Sequence, residues 1–263
     1  VRENRDVAEK IIQNTNLSQQ LMLRAYTAFA LQAGAANGLG GKLLLVSGFG
    51  REGISAALGA TLAGAACLGM DADAQAVKQA MREGGCDFMV NSLDEALRIL
   101  KNEVRKKRPV SVGVPADAAV MLAAMVERGV QPDLITDFVI APAAEVPNVC
   151  DDDATDGTAA RVVAMRTLVE RGATLVDLNG RLAGWFNAGV VSAKQSVEQW
   201  AQANGYELQR YEARSGAELK ELDKAALEMI AEDDWRRRRW MEQAPKYFRR
   251  GVMERWLWGK SRG

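Results

Sequence analysis

Hydrophobic positions in this chain fall into two alternating textures. Short, largely apolar runs recur at Leu43–Val46, Val110–Val114, Leu134–Thr136 and Thr174–Leu178, the pattern of strands buried on both faces. Between them lie longer stretches in which apolar residues return every three or four positions, as on one side of a helix. A small-residue helix holds Ile54, Ala56, Ala57, Leu58, Ala60, Leu62 and Ala63, and a short apolar strand ends at Asp71. Ala74–Glu83 predicts a helix and Cys86–Val90 a short strand. Ser92-Leu-Asp-Glu95 is a capping box, which opens a helix running to about Lys107. Helices are predicted over Ala116–Arg128, with Gly129 as its C′ residue, over Thr158–Arg171 and over about Ser192–Asn204. Tyr206–Tyr211 predicts a strand, and Ser215-x-x-Glu218 opens another helix. Residues 4–35 predict one or two helices, with Leu21, Leu23, Ala25, Ala28 and Phe29 on the apolar face. Strand and helix alternating in this way imply right-handed crossovers and a parallel sheet covered on both sides. The expected fold is α/β: a Rossmann-like three-layer parallel sheet with N-terminal and C-terminal helical segments added. The boundaries drawn are 1–41, 42–232 and 233–263.

The turn after the first strand carries the chemistry. Gly48, Gly50 and Gly53 form G-x-G-x-x-G between strand and helix, enclosing Arg51 and Glu52. In such a turn the first glycine permits a tight bend and the second lets the backbone approach a pyrophosphate. The third lets helix and strand pack closely. Amides at the helix start then face the phosphate charge. Asp71 stands about 20 residues on, where a carboxylate takes ribose hydroxyls. The plainer alternative is a tight βα turn that binds no nucleotide.

Composition narrows the chemistry further. At 263 residues the chain suits one large domain, or one domain with appendages. No apolar stretch nears the roughly 18–20 residues of a membrane span, and the charged start, Val1–Lys10, is unlike a signal peptide. Cys67, Cys86 and Cys150 show no metal-type spacing, and an odd count argues against a disulfide framework. A reducing, cytoplasmic setting is expected. The chain has no histidine, which removes Ser-His-Asp and Cys-His machinery and the commonest zinc ligand. Asp151, Asp152, Asp153 and Asp156 could bind a divalent cation, but such a run more often forms a solvated loop, and no metal is expected. Asp177, Asn179, Arg181 and Asn187 follow a strand end, where α/β ligand sites form, although turn-making is their plainer role.

A zero net charge hides an asymmetry. From Trp235 onward Lys and Arg number 10 and Asp and Glu 2, so the preceding residues carry 24 basic against 32 acidic. Four of the six tryptophans also lie there. Trp235-Arg-Arg-Arg-Arg-Trp240 invites a nucleic-acid reading, but Arg stems packed on Trp faces and a protein-docking surface are preferred.

An ordered series of motifs resembles the urocanase (urocanate hydratase) family, in its Rossmann-like NAD-binding domain. It runs through Tyr26-Thr-Ala-Phe29-Ala-Leu-Gln-Ala-Gly34, Ala60-Thr-Leu-Ala-Gly-Ala65, Asn91-Ser-Leu-Asp-Glu-Ala-Leu97 and Ser111-Val-Gly113. It continues through Glu127-Arg-Gly-Val-Gln-Pro-Asp133, Thr136-Asp137, Ala164-Met165, Arg171-Gly-Ala and Val176-Asp177, and ends with Arg250-Gly251, Arg255 and Trp258. The resemblance spans roughly residues 26–259. It implies NAD as cofactor, held by Gly48, Gly50, Arg51, Glu52, Gly53, Asp71, Asp117 and Ala118. It also implies hydro-lyase chemistry in which NAD+ acts as an electrophile. Urocanases are about twice as long, and this chain resembles their inserted cofactor domain standing alone.

Several positions depart from the family pattern. Arg51, Glu52, Ile54 and Ala56 stand where the family usually has Gly, Met, Gly and Gln. Asp71 replaces a Glu, Ala76 an Arg, Leu178 a Tyr and Leu257 a Cys. Asp117-Ala118 replaces Asn-Ala, and Phe138-Val-Ile-Ala-Pro142 replaces a polar Gln-Thr-Ser-Ala-His. Urocanate hydration by this polypeptide alone is therefore not expected. The expected function is an NAD-binding urocanase-like protein, hydratase or lyase in type, or the cofactor part of a split enzyme. It would act on a small molecule and associate as a homo-oligomer or with a core-like subunit through its Trp/Arg segment. The alternatives are a non-catalytic module of the same fold and an NAD-dependent oxidoreductase. Against the last, no Tyr-x-x-x-Lys dyad is present.

Overall fold

The central strand, Leu43–Ser47 (β1), is buried at all five positions, with Leu44 and Val46 facing one side and Leu43 and Leu45 the other. That two-sided burial fixes it inside a covered parallel sheet. The computed structural model describes residues 18–139, 157–182, 184–186, 189–248 and 251–261. A helix over residues 18–32 (α1) precedes β1. There follow α2 (Arg51–Leu62), β2 (Ala66–Asp71), α3 (Ala74–Arg82), β3 (Phe88–Met89), α4 (Leu93–Arg105), β4 (Val110–Pro115), α5 (Ala118–Glu127) and β5 (Leu134–Asp137). Then come α6 (Thr158–Glu170), β6 (Thr174–Asp177), β7 (Val190–Ser192) and α7 (Ala193–Ala203). These build a seven-stranded sheet in the order β3-β4-β2-β1-β5-β6-β7, every pair parallel.

Helices cover both faces. Side chains of α1, α2, α3 and α7 join one core with Leu44, Val46 and Cys67. Those of α4, α5 and α6 join the other with Leu43, Leu45, Leu68 and Ile135. This is the expected Rossmann-like three-layer fold. Capping residues start the helices where the sequence places them: Ser92 Oγ accepts from Glu95 N–H and Ser215 Oγ from Glu218 N–H.

The chain closes with β8 (Tyr206–Glu212), α8 (Gly216–Glu228), α9 (Trp235–Gln243), a 3-10 turn (Ala244–Tyr247) and β9 (Glu254–Lys260). The C-terminal segment is thus helical only in its first part. Its last seven described strand residues pair antiparallel with β8, Leu208 opposite Trp258. The physical reason is their period of two: Arg255, Leu257 and Gly259 are buried, with Trp256 and Trp258 partly exposed between them. β7 is a second strand that the glycine- and asparagine-rich stretch does not announce.

The Trp/Arg run of α9 is turned inward. Arg236 donates to Ala30 O (3.3 Å) and Gly34 O (3.1 Å) at the end of α1. Arg239 donates to Ala63 O (3.1 Å) at the end of α2 and to Asn37 O (2.7 Å). Both guanidinium groups lie 4.7 Å from the Trp235 ring centroid. Trp240 is 3% exposed and donates to Trp256 O, while Trp258 donates to Thr27 Oγ1 on α1.

Candidate functional site

The glycine turn has a separate physical reason for each glycine. Gly48 has φ +88°, a conformation that side chains resist, and its N–H donates to Met70 O (2.8 Å). A Cβ added at Gly53 would lie 1.8 Å from Gly48 O, so helix and turn can touch only through glycine. Gly50 is the N-cap of α2 and makes no side-chain cap; a Cβ there would meet no atom within 4 Å beyond its chain neighbours. Helix geometry leaves the first-turn amides of α2 without acceptors inside the helix. Arg51 is exposed and Glu52 half-buried.

Asp71 ends β2 facing this turn. Its Oδ2 accepts from Phe49 N–H at 2.7 Å and its Oδ1 from Asp73 N–H at 2.8 Å. Each carboxylate oxygen keeps a second lone pair for a hydroxyl. Asp73 in turn caps α3 through Gln75 N–H. The backbone of β4 is tied to the same corner, since Ala116 N–H donates to Asp71 O (2.9 Å). Asp117, the N-cap of α5, accepts from Ala119 N–H and Val120 N–H, and Ala118 is buried beside it. Gly48, Gly50, Arg51, Glu52, Gly53 and Asp71 therefore share one corner, with Asp117 and Ala118 one strand further out.

Strand order reverses between β1 and β5, and the crevice at that switch point is where open α/β sheets bind ligands. Two hydroxyls near the ends of these strands, Ser47 Oγ of β1 and Thr136 Oγ1 of β5, are buried without a hydrogen-bond partner, on opposite faces of the sheet. The far wall of the crevice is apolar: a Cβ at Gly48 would lie 3.0 Å from Val139 Cγ2 and 3.4 Å from Phe138 Cβ. Arg181 donates to Phe138 O (3.2 Å). Asp177 accepts from Gly180 N–H and Leu182 N–H, and Asn179 Oδ1 from Arg181 N–H, so this loop is built by the turn-making role its residues suggested.

The model of the urocanase Rossmann-like domain matches residues 22–200. The chain belongs to the urocanase family. A solved structure, a short-chain type dehydrogenase/reductase from Mycobacterium marinum, is similar over 67% of this chain and 70% of its own, at 15% identity and a TM-score of 0.30. The family assignment rests on the first of these.

Among the urocanase-type positions, the apolar tract that replaces a polar one begins at Phe138 and Val139, on the wall of the crevice. Its continuation, Cys150, the acidic cluster Asp151–Asp156 and Asn187 lie outside the described residues. Among the described residues no group of three or more His, Cys, Asp or Glu could hold a metal ion, and no helix is long and apolar enough to cross a membrane. Cys67 and Cys86 are buried and free. Burial pushes both thiols up, Cys86 to about 12, which makes them core residues rather than nucleophiles. Sequence reasoning passed over Phe49, whose ring is 2% exposed and whose amide holds Asp71. No local signal marks it, because Gly69 and Gly113, the glycines beneath its ring, meet only across β2 and β4.

Proposed function

We propose that this chain is a urocanase-like NAD-binding protein whose chemistry, of hydratase or lyase type, draws on residues of another subunit. One observation carries the reading: the Asp71 carboxylate is held 2.7 Å from the Phe49 amide, beside an open Gly50. A diphosphate would take the first-turn amides of α2, and the adenosine ribose would take Asp71, a residue type that disfavours a 2′-phosphate. Asp117 and Ala118 would border the adenosine edge. The unpaired hydroxyls of Ser47 and Thr136 stand near the ends of β1 and β5, the strands that flank the crevice that would receive the rest of the cofactor. When bound, NAD+ supplies an electrophilic nicotinamide ring. The chain's own part is to orient that ring and keep water from it; no side chain here is assigned proton transfer.

A second reading, a non-catalytic module of the same fold, is favoured by the apolar wall of Phe138 and Val139. Calorimetric titration with NAD+ tests the first. Saturable binding is expected, weakened about tenfold or more by Asp71→Ala and by Gly50→Val. Absence of binding by the parent chain would overturn it.

A further inference from the structure

The groove between α2 and α3 extends well beyond the glycine turn. It forms a cleft of about 820 Å³, within the range of small-molecule sites. Both helices start at the carboxyl edge of a parallel sheet and run back along it. Gly50 and Arg51 therefore stand at one end of the cleft, and Arg82 and Gly84, at the close of α3, stand at the other. Nine helical residues separate these ends by roughly 12 Å. Ile54 and Leu58 of α2 give the cleft an apolar wall, joined by Met22 of α1 and by Phe248.

The far end is cationic. Arg82 is exposed there, and Lys246, exposed and with its ammonium donating to Gln243 Oε1, lines the cleft from the 3-10 turn, whose Tyr247 ring comes 3.2 Å from where a Cβ on Gly84 would sit. The neighbouring acid, Glu83, accepts a hydrogen bond from Gln79. On the α1 wall, Gln19 is 2% exposed; its Nε2 donates to Glu254 O at 3.4 Å, while its Oε1 is buried without a partner. A buried amide oxygen left unpaired is costly, and a donor arriving in the cleft would satisfy it.

We propose that this cleft is a second ligand site, for a small organic anion. Its apolar body would lie on Ile54, Leu58 and Met22, its carboxylate or phosphate at Arg82 and Lys246, and an N–H or O–H group would reach Gln19 Oε1. The proposal does not rest on the dinucleotide reading, although the two sites meet at Gly50 and Arg51. Ligand-observed NMR on the full chain tests it with three probes: hydrocinnamate, phenyl phosphate and neutral hydrocinnamamide. At least one anion is expected to bind saturably, the two anion probes telling carboxylate from phosphate. The amide is expected to bind about tenfold more weakly, and Arg82→Glu and Lys246→Glu should each lose about tenfold. Both variants should keep the parent's melting curve and its NAD+ titration, so failure of either site leaves the other readable. Two results would overturn the site: no saturable binding of either anion, or binding that ignores the charge of the probe or of positions 82 and 246.

Discussion

Phe49 joins the turn to the sheet at both of its ends. Its amide holds Asp71, and its ring fills the space above two glycines that face each other across β2 and β4. A Cβ on Gly69 would lie 1.9 Å from Phe49 Cζ, and one on Gly113 3.4 Å from Cε2. Glycine inside a strand weakens it, and often marks a close approach by something else; here that something is the ring. Phe49→Ala should cost about 3–5 kcal/mol through the cavity it leaves. Gly69→Ala should cost about 1–3 kcal/mol by overpacking. Because the two changes act on one contact, the double variant should fall short of their sum by about 1 kcal/mol or more. Urea denaturation measures all three, and strict additivity would mean that the ring does not occupy this space. The sequence alone displays the three glycines of the turn, because their spacing is local. The partnership of Phe49 with Gly69 and Gly113 became visible only with the register of the strands.

Elements were legible wherever their signals were local. Ser92 and Ser215 announce their helices, and short, largely apolar runs announce β1, β4, β5 and β6. β7 escaped because three residues give no period. β9 was absorbed into a helical segment because its Arg and Trp residues continue the composition of α9, although their burial alternates. The four arginines of α9 show what composition conceals. Carbonyls at helix ends lack partners within the helix, and three of these side chains supply them: Arg236 to α1, Arg238 to Ile230 O after α8, and Arg239 to Ala63 O after α2. Arg239→Ala removes two such bonds and should cost about 1–3 kcal/mol in urea denaturation. Arg239→Lys should recover less than half, since an ammonium cannot reproduce the planar fork that spans Ala63 O and Asn37 O. Full recovery by lysine would reduce the role of Arg239 to charge alone.

At the scale of the molecule, the decisive feature is that one core runs from the parallel sheet into the C-terminal layer. Leu44, Val46 and Cys67 of the strands belong to the same buried cluster as Ile230, Trp240, Met241 and Leu257. Contact passes through α1, where the Tyr26 hydroxyl donates to Arg236 O (2.7 Å) and the Tyr26 and Trp240 rings lie 5.7 Å apart. The four ligand-facing segments of the α2–α3 cleft are brought together by this same packing, which is why nothing in the linear sequence pointed to it. A continuous core implies a single cooperative unfolding unit. The tryptophans allow a direct check, because Trp200, Trp235, Trp240, Trp256 and Trp258 all border the C-terminal layer. With Trp185, which lies in the opposite core, replaced by Phe, their fluorescence reports on that layer, whereas far-UV circular dichroism reports on every helix. The two thermal transitions should coincide, and Trp240→Ala, at a cost of about 3–5 kcal/mol, should lower both together. An early fluorescence transition that left the dichroism signal standing would instead make the C-terminal layer a separable unit docked on an independently stable Rossmann-like domain.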